Sequence, residues 1–417
     1  MDSRRSFLAR TSTATAGSLM AVRAQGSALR VGVIGPGVRG KQHMRQVLAV
    51  EGVDLVAVAD ILALRHAEAR EIAPNIRAYF DHCEMLSAED LDAVVIASPL
   101  HLHAQHFIDA LEAGAHVYIE KTMAYSLEHA KRMREARDRF SSQVVQVGIQ
   151  SLSSGAAGDV PLMLADNKVG RITEIRANFY RNSTPEHPPW VRDVPAQTST
   201  VGPRWGAFLG EAPTVEFDPF RLINWRLFWD YSGGAVFELM VHQIGFWTRI
   251  LGLGIPDQVT SSGGIYLWQD RREVPDGWNV ALHFEQPGLI FSWTSSVGNR
   301  FFGFSEFALG VAGTIEKIGN DARYIPELVT NPMGQEFVGQ SPDGDHMRNF
   351  FDAIRSGREP NCPFEIGFQT AVACRMAVDS LRQRRTVRWD RESETIQGVS
   401  TLAPDGRLRL PRRARSG

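Results

Sequence analysis

The sequence predicts an α/β protein in which an amino-terminal, doubly wound parallel sheet is followed by an α+β domain with an open, mostly antiparallel sheet. In the first part, short apolar runs alternate with helical runs, a pattern typical of parallel strands joined by helices. Beyond residue 150, apolar and polar residues alternate one by one, as in strands with one buried face. A chain of 417 residues is long enough for two such domains. We predict a leader over residues 1–28, domains over 29–150 and 151–390, and a tail over 391–417.

The first domain opens with a glycine-rich turn between a strand and a helix. The apolar run Arg30–Ile34 is followed by Gly35, Gly37 and Gly40, and then by a helical pattern that continues to Val50. Gly35 permits the tight turn, Gly37 lets the backbone approach a pyrophosphate, and Gly40 lets the helix pack closely on the sheet. The helix N-terminus adds amide donors and a positive dipole. The pattern predicts a dinucleotide site that includes Gly35, Gly37, Val38, Arg39 and Gly40.

An acidic residue supports this interpretation and indicates which dinucleotide binds. The second apolar run ends in Asp60, about 20 residues beyond Gly40, where an acidic side chain hydrogen-bonds the ribose of adenosine. Its negative charge would also repel a 2′-phosphate. We therefore predict NAD as the cofactor, with NADP less favoured.

The alternation of helices and strands continues to the end of the first domain. The predicted elements are a helix over Ala63–Ile72, a strand over Asp92–Ser98, a helix to Ala113, a strand over His116–Ile119, a helix over Leu127–Phe140 and a strand over Val144–Val147. In a doubly wound sheet, ligands bind beyond the carboxyl ends of the strands. The residues predicted to contact the cofactor there are Ser98, Pro99, His103, Glu120 and Gln150.

Two features of this edge have more than one interpretation. Lys121 follows directly on a buried strand, where loss of hydration favours the neutral amine and makes proton transfer at neutral pH possible. The alternative is a surface lysine paired with Glu120. His101 and His103 are expected to satisfy neighbouring backbone groups rather than to bind a metal, because no third ligand is in register. No metal site is predicted.

The second domain contains several predicted strands and one long connection. The strands are Arg171–Tyr180, Val280–Phe284, Leu289–Trp293, Phe304–Leu309 and Gly313–Ile318, and Gln286–Gly288 is predicted to form a hairpin turn. Residues 181–232 are rich in proline and tryptophan, including Pro185, Trp190, Trp205, Trp225 and Trp229. Loops of this length are usually functional. Their aromatic faces could stack on a sugar, or could only pin the loop to the body; Trp225, Arg226 and Tyr231 are the candidate substrate-binding residues.

A predicted helix over Ala235–Leu251 carries Glu238 and His242, which are four residues apart and so share one face. A carboxylate beside an imidazole can fix its tautomer and raise its basicity, which gives a proton relay for an alcohol. The pair could instead be half of a metal site or an ordinary solvated pair. The apolar neighbours make a solvated pair the weaker alternative.

Composition excludes several classes of protein. The formal net charge is −2 and 43% of the residues are hydrophobic, so nothing points to a nucleic-acid partner or to disorder. No apolar run approaches the roughly 18 residues of a membrane helix. Cys83, Cys362 and Cys374 form neither a disulfide framework nor a zinc-spaced cluster, and are interpreted as buried or incidental thiols.

The amino terminus resembles an export signal. Arg4 and Arg5 lie beside Ser6, Phe7 and Leu8, and a mild apolar stretch and a small-residue cleavage site follow. These features are typical of the twin-arginine route, which carries folded proteins. The alternative is a tail that happens to contain two arginines. If exported, the protein works in the periplasm or another extracytoplasmic space, and must hold its NAD tightly.

These motifs, in this order, resemble the Gfo/Idh/MocA oxidoreductases. The resemblance covers roughly Leu29 to Asp390, and its matching segments are Gly35–Gly40, Asp60, Ser98–His103, Glu120-Lys121, Gly233-Gly234, Glu238 with His242, and His346–Gly357. It implies a Rossmann domain beside an open sheet that supports homo-oligomers. It also implies hydride transfer between a sugar or cyclitol carbon and nicotinamide, with Lys121, Glu238 and His242 as catalytic residues and Lys121 and His242 in contact with the substrate. The chain departs from the family pattern at Thr122, Glu238, Gly245, Ser151 and Leu152.

Three functions remain in competition. The leading hypothesis is an exported NAD-dependent oxidoreductase acting on a sugar, a sugar derivative or a cyclitol. The alternative, also implied by the resemblance, is an NAD-dependent glycosidase that works by transient oxidation, elimination and re-reduction. The third is a non-catalytic sugar-binding sensor.

Overall fold

The computed structural model describes residues 28–398, apart from residues 166, 167 and 185 and the side chain of residue 203. The predicted export signal and most of the predicted tail therefore lie outside the described residues, as does Pro185. No helix among the described residues is both long and apolar enough to cross a membrane.

The first domain is built on a sheet of six parallel strands. Its strands are β1 (Leu29–Ile34), β2 (Val53–Ala59), β3 (Arg77–Tyr79), β4 (Ala93–Ile96), β5 (His116–Glu120) and β6 (Val145–Gly148). They lie in the order β3-β2-β1-β4-β5-β6. The helices are α1 (Val38–Leu48), α2 (Ala63–Ile72), α3 (His82–Ala88), α4 (His103–Glu112) and α5 (Leu127–Arg139). This is the strand order of a dinucleotide-binding Rossmann sheet, and it confirms the predicted fold class.

The second domain is built on a ten-stranded mixed sheet. Its strands are β7 (Ile172–Tyr180), β8 (Gln258–Gly264), β9 (Gly277–Phe284), β10 (Leu289–Ser296), β11 (Phe304–Gly310), β12 (Gly313–Ile318), β13 (Asp321–Pro326), β14 (Phe337–Val338), β15 (Val387–Asp390) and β16 (Thr395–Gly398). The order is β14-β13-β12-β11-β7-β10-β9-β8-β15-β16. Among the described strands of this second sheet, only β7 and β10 are parallel neighbours. The predicted open, mostly antiparallel sheet is confirmed, as is the hairpin turn between β9 and β10.

Six helices belong to the sequence beyond the first sheet. They are α6 (Gly155–Ala165), α7 (Trp205–Leu209), α8 (Pro219–Ile223), α9 (Val241–Leu251), α10 (His346–Ser356) and α11 (Phe364–Gln383). A π-helical turn over Val236–Met240 precedes α9. α11 is mostly buried and packs against α5, α9 and β8, so it ties the two domains together.

The structure differs from the predicted domain limits at two places. α10 begins at the capping residue Asp345 and ends at Gly357, whose φ is 67°. Its buried residues Met347, Phe350 and Phe351 pack into the core of the first sheet, although they lie far beyond residue 150 in the chain. At the other end, β16 extends the second sheet to Gly398, past the predicted boundary at Asp390. The α10 segment therefore packs with the first domain, and the β15–β16 pair belongs to the second sheet.

Candidate functional site

One cavity of about 720 Å³ lies between the domains at the carboxyl ends of the first sheet's strands. It brings together most of the predicted site residues: Gly35, Gly37, Val38, Arg39, Asp60, Ser98, Pro99, His103, Glu120, Lys121, Gln150, Trp225, Arg226, Glu238 and His242. Gly40 and Tyr231 are the predicted site residues that do not line it.

The glycine turn forms the diphosphate end of the cavity. Gly35 has a φ of 82°, and a Cβ there would lie 2.7 Å from the Ser98 backbone. A Cβ on Gly40 would lie 2.2 Å from the Gly35 carbonyl oxygen, so Gly40 contributes close packing rather than a cavity surface. A Cβ on Gly37 would meet nothing within 4 Å, which leaves open space directly before α1. That space, facing the first amides of α1, fits the phosphates of a dinucleotide.

Asp60 lies where the adenosine ribose of such a dinucleotide would be bound. Its Oδ1 accepts a hydrogen bond of 2.9 Å from the Leu62 amide, and burial raises the pKa of its carboxyl to about 6. Arg65, a cation that also lines the cavity, donates to Glu68 at 2.7 Å. Lys41 donates to the same carboxylate oxygen at 2.9 Å. Glu68 engages both cations and compensates part of their positive charge, which agrees with the preference for NAD over a dinucleotide that carries a 2′-phosphate.

The two histidines that follow β4 satisfy backbone groups, as predicted. The Nε2 of His101 lies 2.6 Å from the Phe208 carbonyl oxygen, and burial lowers its pKa to about 3. The ring nitrogens of His103 lie 3.0 and 3.1 Å from the carbonyl oxygens of Thr122 and Ser98. Both rings are buried, and both also line the cavity. They therefore fix the cavity wall.

Glu120 is fully occupied by partners from the first domain. Its Oε1 accepts hydrogen bonds from Arg39 and His43, each at 2.7 Å, and from Gln150 at 3.2 Å. Burial by itself would raise the pKa of this carboxyl, but the His43 hydrogen bond and the Arg39 charge hold it well below its usual value. Glu120 therefore stays ionised. It holds Arg39, His43 and Gln150 in place and does not pair with the Lys121 ammonium.

Lys121 pairs with Glu238 instead of Glu120. Its Nζ donates to Glu238 Oε2 at 3.0 Å and to the Glu238 carbonyl oxygen at 3.2 Å. Arg226 donates to the other carboxylate oxygen of Glu238 at 3.0 Å. Burial would raise the pKa of Glu238, yet the charges of Arg226 and Lys121 lower it to about 2. The predicted loss of hydration at Lys121 is therefore offset by an ion pair, which fixes the ammonium in the cavity. The peptide bond between Lys121 and Thr122 is cis.

The predicted hydrogen-bonded pair of Glu238 and His242 does not form between the described side chains. Glu238 lies in the π-helical turn, whose angular spacing differs from that of an α-helix, so the i, i+4 rule does not apply there. Both carboxylate oxygens of Glu238 are engaged by Lys121 and Arg226. Burial, helped by the charge of Lys121, lowers the pKa of His242 to about 3. His242 is thus a neutral imidazole in the cavity near neutral pH, able to accept a proton.

The long connection over residues 181–232 contains tryptophans that line the cavity and a tryptophan that packs inside the loop. Trp190 and Trp225 line the cavity, and each ring has an arginine guanidinium over one face, Arg181 over Trp190 and Arg226 over Trp225. Trp205 is buried and stacks on Phe208 at 4.8 Å, so it only holds the loop together. Tyr231, predicted to bind substrate, is 0% exposed. That prediction is wrong, because the Tyr231 ring is enclosed by an aromatic cluster rather than directed at the cavity.

Part of this connection covers the adenosine end of the cavity, and we call residues 196–223 the cap. Its own buried core includes Leu62 of the first domain. Arg204 donates to the Ile61 carbonyl oxygen at 2.9 Å, and Arg132 donates to Glu211 at 2.7 Å. The sequence did not predict the cap, because its contacts are with residues more than 70 positions away and have no local pattern.

Sequence reasoning also missed single residues in the site. His43 and Gln42 lie on α1, and their position one turn into the helix after the glycine motif was the available signal. Arg192 lines the cavity beside the substrate end, but nothing in the local sequence distinguishes it from other loop arginines.

The three cysteines are unpaired, and two of them are buried as predicted. Cys83 is exposed as a residue, but its sulfur atom is partly buried. This partial burial and the negative charge of Asp109 raise the pKa of its thiol to about 11. Asp81, His82 and Cys83 offer ligand atoms within 4.8 Å of one another, and no other group of this kind is found among the described residues.

Comparison with known proteins identifies the first domain. Residues 29–149 match the model of GFO_IDH_MocA, an oxidoreductase family with an NAD-binding Rossmann fold. The inositol 2-dehydrogenase of Klebsiella pneumoniae is 37% identical over 123 residues, which are 29% of this chain and 36% of that protein. That of Agrobacterium fabrum is 32% identical over 161 residues, 38% of this chain and 47% of that protein. The chain thus spans about half the length, or less, of these curated relatives.

Solved structures are similar over both domains. The WlbA dehydrogenase from Bordetella pertussis, in complex with NADH and UDP-GlcNAcA, has a TM-score of 0.65 and 20% identity, over 87% of this chain and 99% of that chain. The apo scyllo-inositol dehydrogenase from Lactobacillus casei has a TM-score of 0.64 and 17% identity, over 87% and 98%. At these identities the likeness shows a shared fold. Residues 29–149 thus match the NAD-binding Rossmann domain of the GFO_IDH_MocA family model, and the chain shares its two-domain fold with these solved structures.

Proposed function

We propose that the protein is an NAD-dependent oxidoreductase that acts on a hydroxyl-bearing carbon of a sugar, a sugar derivative or a cyclitol. The observation that carries the proposal is the convergence of Lys121, Glu238 and His242 in the cavity that also contains the glycine turn. A proton acceptor and a cation thus lie in the same space as the groups that fit a dinucleotide. Oxidation of an alcohol needs these three elements together.

NAD, when bound, supplies the hydride acceptor. His242 is neutral, so a ring nitrogen can accept a hydrogen bond from the substrate hydroxyl, which is the path for the proton as the carbon is oxidised. The Lys121 ammonium can donate a hydrogen bond to the same oxygen, which stabilises negative charge on it and, in the reverse direction, polarises the carbonyl. Glu238 is a positioning residue, because it holds the ammonium of Lys121 and the guanidinium of Arg226 in place.

A carbohydrate or cyclitol substrate is supported by the cavity wall and by the relatives. Trp190 and Trp225 contribute aromatic rings to the cavity wall, and aromatic rings can pack on the C–H surface of a sugar ring. The curated relatives are inositol 2-dehydrogenases.

Two measurements test this proposal in sequence. Mass spectrometry of nucleotide released from the purified protein should find NAD. The NAD-loaded protein is then screened against sugars and cyclitols by NADH absorbance. We expect His242→Asn to lower turnover by about 10²–10⁴-fold, since a general base contributes this much. His187→Asn, at an exposed histidine of the long connection, is the matched control and should be unchanged. Wild-type protein that binds no nicotinamide nucleotide would refute the proposal.

A second candidate function is favoured by the cap. Because the cap encloses the adenosine end, bound NAD should leave slowly, which suits a reaction that regenerates its own cofactor. In an NAD-dependent glycosidase, a ring hydroxyl is oxidised, the neighbouring C–H becomes acidic and the glycosidic bond breaks by elimination. Water then adds, and the hydride returns to the sugar. Release of aglycone without net NADH formation would favour this function, whereas steady NADH formation with added NAD favours simple oxidation. Ligand binding without turnover in either assay would favour a sensor.

We further propose that residues 1–28 direct export of the folded protein by the twin-arginine route to the periplasm or another extracytoplasmic space. The paired Arg4 and Arg5, with the residues around them, support this. Cell fractionation compares the wild type with a variant in which both arginines are replaced by lysine. The wild type should be found outside the cytoplasm and the variant inside; cytoplasmic wild type would refute export.

We also propose a homo-oligomer that forms through the second sheet. Phe301 and Phe302, which precede β11, are 84% and 66% exposed. Apolar surface of this kind is usually covered by a partner. Light scattering should show more than one protomer, and Phe302→Ser should lower the assembled fraction. A monomeric wild type would refute this assembly.

A further inference from the structure

Arg192 has a fixed backbone at the wall of the cavity. Its amide donates to Asn224 Oδ1 at 2.7 Å, and Asn224 Nδ2 donates to the Arg192 carbonyl oxygen at 3.1 Å. Asn224 is 1% exposed and directly precedes Trp225 and Arg226. A buried amide thus anchors Arg192 to the segment that forms the substrate end. The backbone of Arg192 is thus fixed before any ligand arrives.

The guanidinium of Arg192 differs from those of the other arginines that line the cavity. Arg39 pairs with Glu120, Arg65 with Glu68 and Arg226 with Glu238. The side chain of Arg192 makes no hydrogen bond or ion pair with any residue that the structure describes. It is therefore the one cavity-lining arginine, within the described part of the chain, that has no carboxylate partner.

The surroundings of Arg192 leave its positive charge uncompensated. Burial lowers the pKa of its guanidinium, and the positive charges of Arg226 and Arg65 lower it further, with Glu238 opposing them only weakly. Both oxygens of Glu238 are already engaged by Lys121 and Arg226. An arginine remains protonated at any physiological pH. Arg192 is exposed, so water screens part of its attraction for an incoming anion.

We propose that Arg192 is an anion-binding residue of the cavity, held in place to receive a carboxylate or phosphate group of a bound ligand. A planar guanidinium can bind such a group through two parallel hydrogen bonds. The anion has two possible sources: an acidic substrate, such as a sugar acid, or the diphosphate of the dinucleotide. The inference rests on the proposed function, because it takes the cavity as the site of both ligands.

The test compares Arg192→Gln with Arg192→Lys and with Arg300→Gln. Arg300 is exposed and does not line the cavity, so its substitution is the matched control for loss of one arginine. Calorimetry first measures NAD binding to each cofactor-free protein. It then measures binding of D-glucuronate and of uncharged D-glucose to each NAD-loaded protein.

Loss of a charged hydrogen-bond pair at this partly open position should weaken anion binding by about tenfold. If the substrate carries the anion, Arg192→Gln removes a preference for glucuronate over glucose and leaves NAD affinity unchanged. If the dinucleotide carries it, the Kd for NAD rises by about the same factor and the sugars are unaffected. Arg192→Lys should retain part of the affinity in either case, because lysine keeps the positive charge but cannot form two parallel hydrogen bonds.

Failure of the anion site and failure of the proposed function give different results. Unchanged affinity of Arg192→Gln for NAD, together with no loss of glucuronate preference, overturns the anion site. If the wild-type protein itself binds no NAD, the proposed function fails instead, and the glucuronate comparison on the cofactor-free protein then decides whether Arg192 binds anions.

Discussion

NAD binding should depend on pH through Asp60. Burial raises the pKa of this carboxyl to about 6 in the protein without ligand. The ribose hydroxyls must donate hydrogen bonds to a carboxylate, and a protonated carboxyl accepts them poorly. Bound NAD therefore lowers the pKa of Asp60, and by linkage the affinity is full above the unliganded pKa and is lost as pH falls through it.

The size of the effect follows from the position of the pKa. One unit below it, at about pH 5, only about a tenth of the molecules carry an ionised Asp60, so the apparent Kd rises by about tenfold relative to pH 8. Calorimetric titration from pH 5 to 8 measures this directly. Asp60→Asn should bind NAD about 10- to 100-fold more weakly at pH 8, since hydrogen bonds to a charged group are lost, and its affinity should no longer depend on pH in this range.

Asp54→Asn provides the control, because Asp54 is an exposed carboxylate on the same strand outside the cavity. Its pH profile should match that of the wild type. A wild-type affinity that stays constant between pH 5 and 8, or a slope that persists in Asp60→Asn, would refute this account of the ribose site.

Three further predictions concern the cofactor turn, the ion-pair cluster and the cap. Gly35→Ala should lower the free energy of unfolding by more than about 1 kcal/mol, because the φ of Gly35 is 82° and the new Cβ meets the Ser98 backbone. Gly37→Ala should keep the wild-type stability in thermal melts, because its Cβ enters only open space, yet it should weaken NAD binding, because that space is where the phosphates fit. Equal stability of the two variants would contradict this account. Glu238→Gln should lower the free energy of unfolding by about 2 kcal/mol in denaturant titrations and also reduce kcat, because two partly buried cations lose their shared carboxylate. An unchanged kcat would show that the cluster does not position the chemistry. Phe208→Ala should speed dissociation of the reduced cofactor NADH, measured by its fluorescence after dilution, because the substitution opens the core of the cap. A wild-type rate would mean that the cap does not retain the cofactor.

The cofactor half of the site was predictable because its signals are local. The spacing of Gly35, Gly37 and Gly40, with an acid at Asp60, reflects contacts within one strand-turn-helix-strand unit, where sequence distance and spatial distance agree. The structure places these residues as predicted, and Gly40 is the exception only in lying behind the cavity wall. Short elements such as β3 and α3 were missed, because three to seven residues carry too little periodicity to detect.

The substrate half was predictable in its members but not in their connections. Lys121 and His242 reach the same cavity. The sequence, however, suggested either a dehydrated neutral amine or a surface pair with Glu120 for Lys121, and a helical pair for His242. The structure joins Lys121 to Glu238, which lies 117 residues away. A π-helical turn releases Glu238 from the α-helical spacing that had paired it with His242. Local patterns cannot show which of several nearby carboxylates a buried cation will meet.

By itself, the sequence determined the two-domain α/β architecture, the dinucleotide turn and the identities of most cavity residues. These follow from hydrophobic periodicity and from backbone requirements that only certain residues satisfy. The tertiary structure alone decided that Tyr231 is buried, that the cap covers the adenosine end, and that Arg192 faces the cavity without a carboxylate partner among the described residues. The physical reason is that burial and charge pairing depend on segments brought together from distant parts of the chain, whose positions are fixed only when the whole core has packed.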